Sequence, residues 1–222
     1  MAVSKRLLLV EGVNDKSFYE QFCRAHGMHA DVKIAPAREV GGTHNSKQGA
    51  IRLLSVLLKQ LEDADAPLER LGLVLDADRT ANGGGFVRTV DQVAAELISH
   101  DFTPVPVVLP TGGLLFQHND GLPDVGLWVM PNNQDDGILE DWIFQSALVR
   151  EQALLDHATA TVAALAAPKF RPVQRRKAEV ATWMAWQDQP GEGLYYAIKG
   201  GMLEPASPLY SGLKAWMARV FQ

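Results

Sequence analysis

The chain of 222 residues contains one cysteine, Cys23. A lone thiol excludes an internal disulfide and the stapled frameworks of small secreted domains. It also excludes a cysteine metal cluster. The six histidines are scattered, with no H-E-x-x-H spacing, so zinc chemistry has no scaffold. Long apolar runs are missing: every one falls far short of the ~20 residues needed to span a bilayer. MAVSKRLLLVEG has the basic start of a secretion signal, but its apolar stretch meets Glu11 too soon and no small-residue cleavage site follows. We read it as a first strand, in a cytoplasmic protein with no membrane partner. There is no G-x-S-x-G elbow for a serine hydrolase, and neither a Walker A nor a dinucleotide fingerprint. An excess of basic charge is also absent. Lys and Arg number 21 against 26 Asp and Glu, a net charge of −5. That excludes a strongly basic nucleic-acid coat. It leaves nucleic-acid chemistry open, because a carboxylate metal site itself contributes negative charge.

What is present is an ordinary globular composition, 47% hydrophobic and 21% charged. Strand-like and helix-like stretches alternate. KRLLLVE, ADVKIAP, LGLVLDAD, TPVPVVLP and GLWVMP read as strands, the fourth as an edge strand because of its prolines. NDKSFYEQFCRAHG, HNSKQGAIRLLSVLLKQLED, TVDQVAAELISHD and ILEDWIFQSALV read as helices, the second with Ile51, Leu54, Leu58 and Leu61 on one side. This order predicts an α/β fold: a mostly parallel sheet with helices on both faces, over residues 1–150. Residues 151–222, including LLDHATATVAALAA and RRKAEVATWMAWQ, read as a helical elaboration packed on the same domain.

In an open parallel sheet, sites form beyond the carboxyl ends of the strands. Glu11 ends the first strand, and Asp76 and Asp78 end the third. Strand alternation points Asp76 and Asp78 the same way. Asp15 follows on the first turn of the next helix, facing back toward the strand ends. Four carboxylates meeting at one edge would repel one another. A hard cation, Mg²⁺ or Mn²⁺, would relieve that. Asp15 alone also fits the plainer role of a helix cap.

A strand ending in Glu-Gly, followed later by one ending in Asp-x-Asp, resembles the Toprim domain of primases, topoisomerases and related nucleases. Glu11, Asp76 and Asp78 match that pattern. The Glu11-to-Asp15 spacing is similar to the Glu-x-x-x-Asp variant of the overcoming-lysogenization-defect (OLD) family nucleases. LLVEGVND, LVLDADR, VMPNNQDDGILEDWI and KAEVATWMAWQDQPGEGLYYAI also resemble a Toprim-related family of small bacterial proteins. The resemblance implies a Toprim-like Rossmannoid fold and metal-dependent phosphoryl transfer on DNA or RNA.

Further residues extend this picture. In MPNNQDDGILEDW, Asp135, Asp136, Glu140 and Asp141 crowd a helix start, where acids favour the helix dipole. Glu140 and Asp141 stand among apolar neighbours, so at least one lies near the core and needs a partner. Glu140 is a candidate metal-site residue. Lys177, in RRKAEVATWMAW, is the candidate cation for charge developing on a phosphoryl group, against a plain solvated helix start. Glu11 and Lys177 are the catalytic candidates; Glu11, Asp15, Asp76, Asp78 and Glu140 are the metal candidates. TANGGGFVRTV and VGGTHNSK, with His44 and Lys47, read as loops with phosphate contact as the sharper alternative. Trp183 and Trp186 read as core, with a base-stacking platform as the alternative for Trp183. A flavodoxin-like fold would also place acids at strand ends, but the glutamate-first order fits it poorly. A non-catalytic module binding nucleotide, nucleic acid or a protein partner is the competing function class.

Overall fold

The computed structural model describes residues 5–35, 46–63 and 68–221. Its centre is a six-stranded sheet with strand order β2-β1-β3-β6-β5-β4. Strands β1 (Arg6–Val10), β2 (Asp31–Ile34), β3 (Arg70–Asp76) and β6 (Val125–Met130) are parallel. Two short strands, β4 (Val107–Val108) and β5 (Leu114–Phe116), close one edge antiparallel. The strand expected in TPVPVVLP is thus reduced to two exposed residues. GGLLF, which carries no strand-length pattern, supplies the buried β5 instead.

Helices cover both faces, and strand alternation decides which residue meets which layer. Leu7 and Leu9 of β1, Leu71, Leu73 and Leu75 of β3, and Val125, Leu127 and Val129 of β6 point one way. There they meet α2 (Lys47–Glu62) and α3 (Phe86–Ile98). Leu8, Val10, Val74, Trp128 and Met130 point the other way. That face packs against α1 (Val13–Ala25), α4 (Leu139–Ser146) and α8 (Pro208–Phe221). Helices α5 (Gln152–Ala163), α6 (Arg175–Ala185) and α7 (Tyr196–Lys199) complete this layer.

Two glycines make room for α8. Gly72 of β3 and Gly126 of β6 lie opposite each other in register. A Cβ on Gly72 would lie 3.0 Å from the Phe221 ring, and one on Gly126 would collide with Val220. The missing side chains let α8 lie close over the two central strands. At the other end of this layer, Phe18 of α1 meets Trp142 of α4 edge-to-face at 5.6 Å. This contact fixes the starts of α1 and α4 beside each other at the carboxyl edge of the sheet. Among the described residues, no helix is long and apolar enough to cross a membrane.

Candidate functional site

The parallel register brings the ends of β1 and β3 together. Val10 pairs with Val74, so Glu11 emerges beside the end of β3. Its Oε1 accepts a 2.7 Å hydrogen bond from the Asp76 N–H, closing a strand end that has no further ladder partner on that side. Asp76 turns toward α4, and its Oδ1 accepts from the Leu139 N–H at 2.9 Å. A carboxylate there meets the unpaired donors and positive end of the α4 dipole.

Asp15 and Glu140 join from the two neighbouring helix starts. A cavity of about 230 Å³ is lined by Asp15, Asp76, Glu140 and Lys177, together with the Gly12–Asn14 turn, Leu139 and Leu194. Asp15 stands in the first turn of α1, where a carboxylate favours the helix dipole, but it makes no side-chain cap hydrogen bond at the helix start. Lys177, from the first turn of α6, places its Nζ 4.0 Å from Glu140 Oε1. The sheet edge therefore gathers Glu11, Asp15 and Asp76, three of the four carboxylates that strand-end reasoning placed there, together with Glu140 and Lys177 from the starts of α4 and α6.

Electrostatics mark this cluster. Burial pushes the Glu11 carboxyl up to about 8; Lys47 and the Asp76 N–H oppose it, while Asp15 and Asp78 add to it. Burial raises Asp76 well above the usual carboxylate range, and the charges of Glu11, Asp15 and Glu140 raise it further. Burial likewise raises Asp15 and Glu140, with Lys177 opposing in both cases. Burial lowers Lys177, but Glu140, Asp76, Asp15 and Glu11 outweigh it and the net shift is upward. Desolvation is the common cause, repulsion adds to it at Glu11, Asp76 and Glu140, and Lys47 and Lys177 offset part of the shift.

Asp78 departs from the expected alignment. Strand β3 ends at Asp76, and Asp78 has φ 60°, in the left-handed region that Asp tolerates better than most residues. The alternation that would point both carboxylates one way has stopped by then. Asp78 instead pairs with Lys47 Nζ at 2.7 Å and lines two neighbouring hollows, not the acidic cavity. Lys47 was visible only as a loop residue. It is the first residue of α2, capped by Ser46, and also donates to Ala77 O at 3.2 Å and Thr89 Oγ1 at 3.3 Å. His44 lies outside the described residues.

The glycine-rich loop after Asp78 is clamped in place. Asp136 accepts from Thr80 N and Thr80 Oγ1, both at 2.7 Å, and from Phe86 N at 3.2 Å. This carboxylate takes the Phe86 N–H, one of the backbone donors at the start of α3 that a phosphate would use. Gly84 passes so close to the strand end that a Cβ would sit 2.5 Å from Asp78 Cβ. Asp141 accepts from Ile138 N at 3.1 Å and from Arg176 Nε at 2.9 Å, so it holds α6 to the start of α4. Trp183 is fully buried and offers no stacking face.

Tyr19 went unnoticed in the sequence, although it stands one turn after Asp15 on the same helix face. Its hydroxyl is buried and has no hydrogen-bond partner. Burial raises its pKa well above the ordinary value, and the charges of Asp15 and Asp76 raise it further. An orphaned donor near two carboxylates is unusual enough to need an explanation.

A family sequence model matches residues 5–222, nearly the whole chain. The chain belongs to the DUF3226 family. The description of that family is "protein of unknown function", so membership carries the site no further than its geometry does. No curated protein and no solved structure matches this DUF3226 chain.

Proposed function

We propose that this protein is a divalent-metal-dependent phosphodiesterase, a nuclease of the Toprim type similar to the OLD nucleases, acting on DNA or RNA in the cytoplasm. The observation that carries this reading is the convergence of three desolvated carboxylates, Asp15, Asp76 and Glu140, on one cavity beside Lys177, with desolvated Glu11 joined to them through the Asp76 N–H. The donor set is all oxygen, which suits Mg²⁺ or Mn²⁺. The unpartnered Tyr19 hydroxyl fits as a donor toward ligands or water around such an ion.

In this reading Asp76, Asp15 and Glu140 would hold the cation, with Glu11 fixing the Asp76 backbone and adding charge. When bound, the ion would supply Lewis-acid polarisation of a phosphoryl oxygen and a more acidic water. The chain's own contribution is orientation and charge. Lys177 would steady the negative charge that develops on the phosphoryl oxygens. Glu11, with its carboxyl near 8, is suited to accept or hold a proton near neutral pH. Asp78, paired with Lys47, stands apart from the metal set and would order the strand end instead.

One observation favours a second reading. Among the described residues, no group of three or more His, Cys, Asp or Glu side chains is arranged to hold a metal ion. Glu11 and Asp76 already accept backbone hydrogen bonds. A non-catalytic nucleic-acid-binding module would use the same edge without an ion. Calorimetry with Mn²⁺ separates the two. The enzyme reading expects binding to the native chain, its loss in Asp76→Asn, its survival in Asp78→Asn, and metal-dependent cleavage of a nucleic-acid panel. Absence of Mn²⁺ binding to the folded native chain, with an oligonucleotide present, would overturn the enzyme reading.

A further inference from the structure

The acidic cavity borders a larger hollow of opposite character. This hollow, of about 630 Å³, is lined by the cations Arg79, Arg171, Arg175, Arg176 and Lys177. A second hollow of about 550 Å³ adds Lys47 and Arg88. Asp78, Arg171 and Val173 line both, so the two are continuous. Lys177 lines both the first hollow and the acidic cavity, so the same surface leads to the carboxylates. Among the described residues, seven cations face three carboxylates along the two hollows, in a chain whose net charge is −5.

The carboxylates are spent on a few of those cations. Arg176 takes Asp141 at 2.9 Å and Glu179 at 2.8 Å, Arg175 takes Glu179 at 2.8 Å, and Lys47 takes Asp78 at 2.7 Å. Arg79 has only a 3.9 Å approach to Asp141. Arg88 and Arg171 are exposed and form no ion pair among the described residues. Uncommitted positive charge is thus spread along the hollows at Arg88, Arg171 and Arg79, while Lys177 at the far end faces Glu140. Among the described residues the one aromatic ring lining the two hollows is Phe144, and the Arg176 guanidinium covers it 3.9 Å from the centroid.

We infer that these two hollows form one track for the sugar-phosphate backbone of single-stranded nucleic acid, running from α3 past Arg171 to Lys177. Each hollow falls within the ~300–1,000 Å³ of a small-ligand pocket, so an occupant of both is a chain of at least two linked units. A duplex would lie across the rim instead of entering. Cations spaced along a strand match a repeating phosphate charge. With the only ring already covered, no base platform is left, so the track reads backbone and not sequence. The inference deepens the phosphodiester reading and rests on it for where the strand leads, but it is decided by binding, not turnover.

The experiment is fluorescence anisotropy of a labelled single-stranded DNA oligonucleotide with EDTA present, on the native chain, Arg88→Ala, Arg171→Ala and the double variant. Native binding should weaken with salt. Each variant should lose about tenfold in affinity, the loss of one charge-assisted contact. Each should also flatten the log–log salt slope by about 0.7. A mononucleotide should compete poorly. Both arginines are exposed, so thermal melts of the variants should match the native chain and exclude misfolding. Undiminished affinity in the double variant, or no oligonucleotide binding by the native chain, would overturn the track. Loss of Mn²⁺ binding or cleavage alone would not, so failure here and failure of the metal reading are distinguishable.

Discussion

Asp76 and Asp78 stand two residues apart and serve opposite surroundings. Asp76 enters a small cavity with Asp15 and Glu140, where burial and like charge push its carboxyl up. Asp78 faces a wider, exposed surface and is held by Lys47. The first region stores electrostatic strain, because desolvated charges of one sign are brought together. The second carries mostly exposed or individually paired charges, which cost little locally and act through their summed field. A region of the first kind is suited to a compact multivalent cation, and one of the second kind to an extended polyanion.

The joint between them should give the largest stability effect. Arg176 ties Asp141 and Glu179 together, and Glu179 is only 4% exposed. Arg176→Ala leaves the nearly buried Asp141 without its close cation and Glu179 with Arg175 alone, and should cost about 3 kcal/mol in denaturant unfolding. A loss below about 0.5 kcal/mol would show that water replaces the guanidinium there. Asp76→Asn should act on the cavity alone. It should lower Mn²⁺ affinity by about 100-fold, while the metal-free melting temperature holds or rises as repulsion is relieved. A fall in that temperature would mean that the carboxylate stabilises the fold without an ion.

The pH dependence sharpens the contrast further. In the folded chain Glu11 titrates near 8 against an ordinary 4.5, and burial shifts Asp15, Asp76 and Glu140 in the same direction. Between these values the folded state binds more protons than the unfolded one, so stability falls as pH rises from about 4.5 to 8 and then levels. Melts of the metal-free chain across this window should show the decline. Mn²⁺ should restore more stability at pH 8 than at pH 5, because protons compete for the same oxygens. Oligonucleotide binding by the arginine track should stay nearly flat over the same range. The smallest effect belongs to Arg79, whose approach to Asp141 is long and exposed. Arg79→Ala should leave stability within about 0.5 kcal/mol while weakening the oligonucleotide complex.

The acidic cavity was legible because each member follows from a rule that reads along the chain. Glu11 and Asp76 end apolar strands, Asp15 opens the next helix, and Glu140 interrupts an apolar helix start. The sheet and its layers followed from the same periodicity. The track was legible in part: Arg79, Arg175, Arg176 and Lys177 read from the sequence as a basic groove beside the acids, but the other half did not. Arg171 lies in an irregular stretch between α5 and α6, Arg88 on the first turn of α3, and Lys47 at the start of α2. Only the three-dimensional packing brings these separate segments side by side. Alternation also misplaced Asp78, because a strand's period lapses once its backbone turns left-handed. The edge strand was legible from the prolines of TPVPVVLP, but β5 and the antiparallel direction escaped because β4 and β5 are too short to show a pattern.

The paired glycines Gly72 and Gly126 have a consequence for how the chain is made. The apolar face above them is completed by α8, which leaves the ribosome well after β6 has been synthesised. Until then a nascent chain holds a nearly finished sheet with one bare, flat, greasy stripe across its two central strands, narrow enough to admit another helix or a neighbouring chain. Any premature stop before Trp216 would leave that stripe permanently open, and such truncated products should be taken up by chaperones or proteases instead of accumulating as shortened, folded protein.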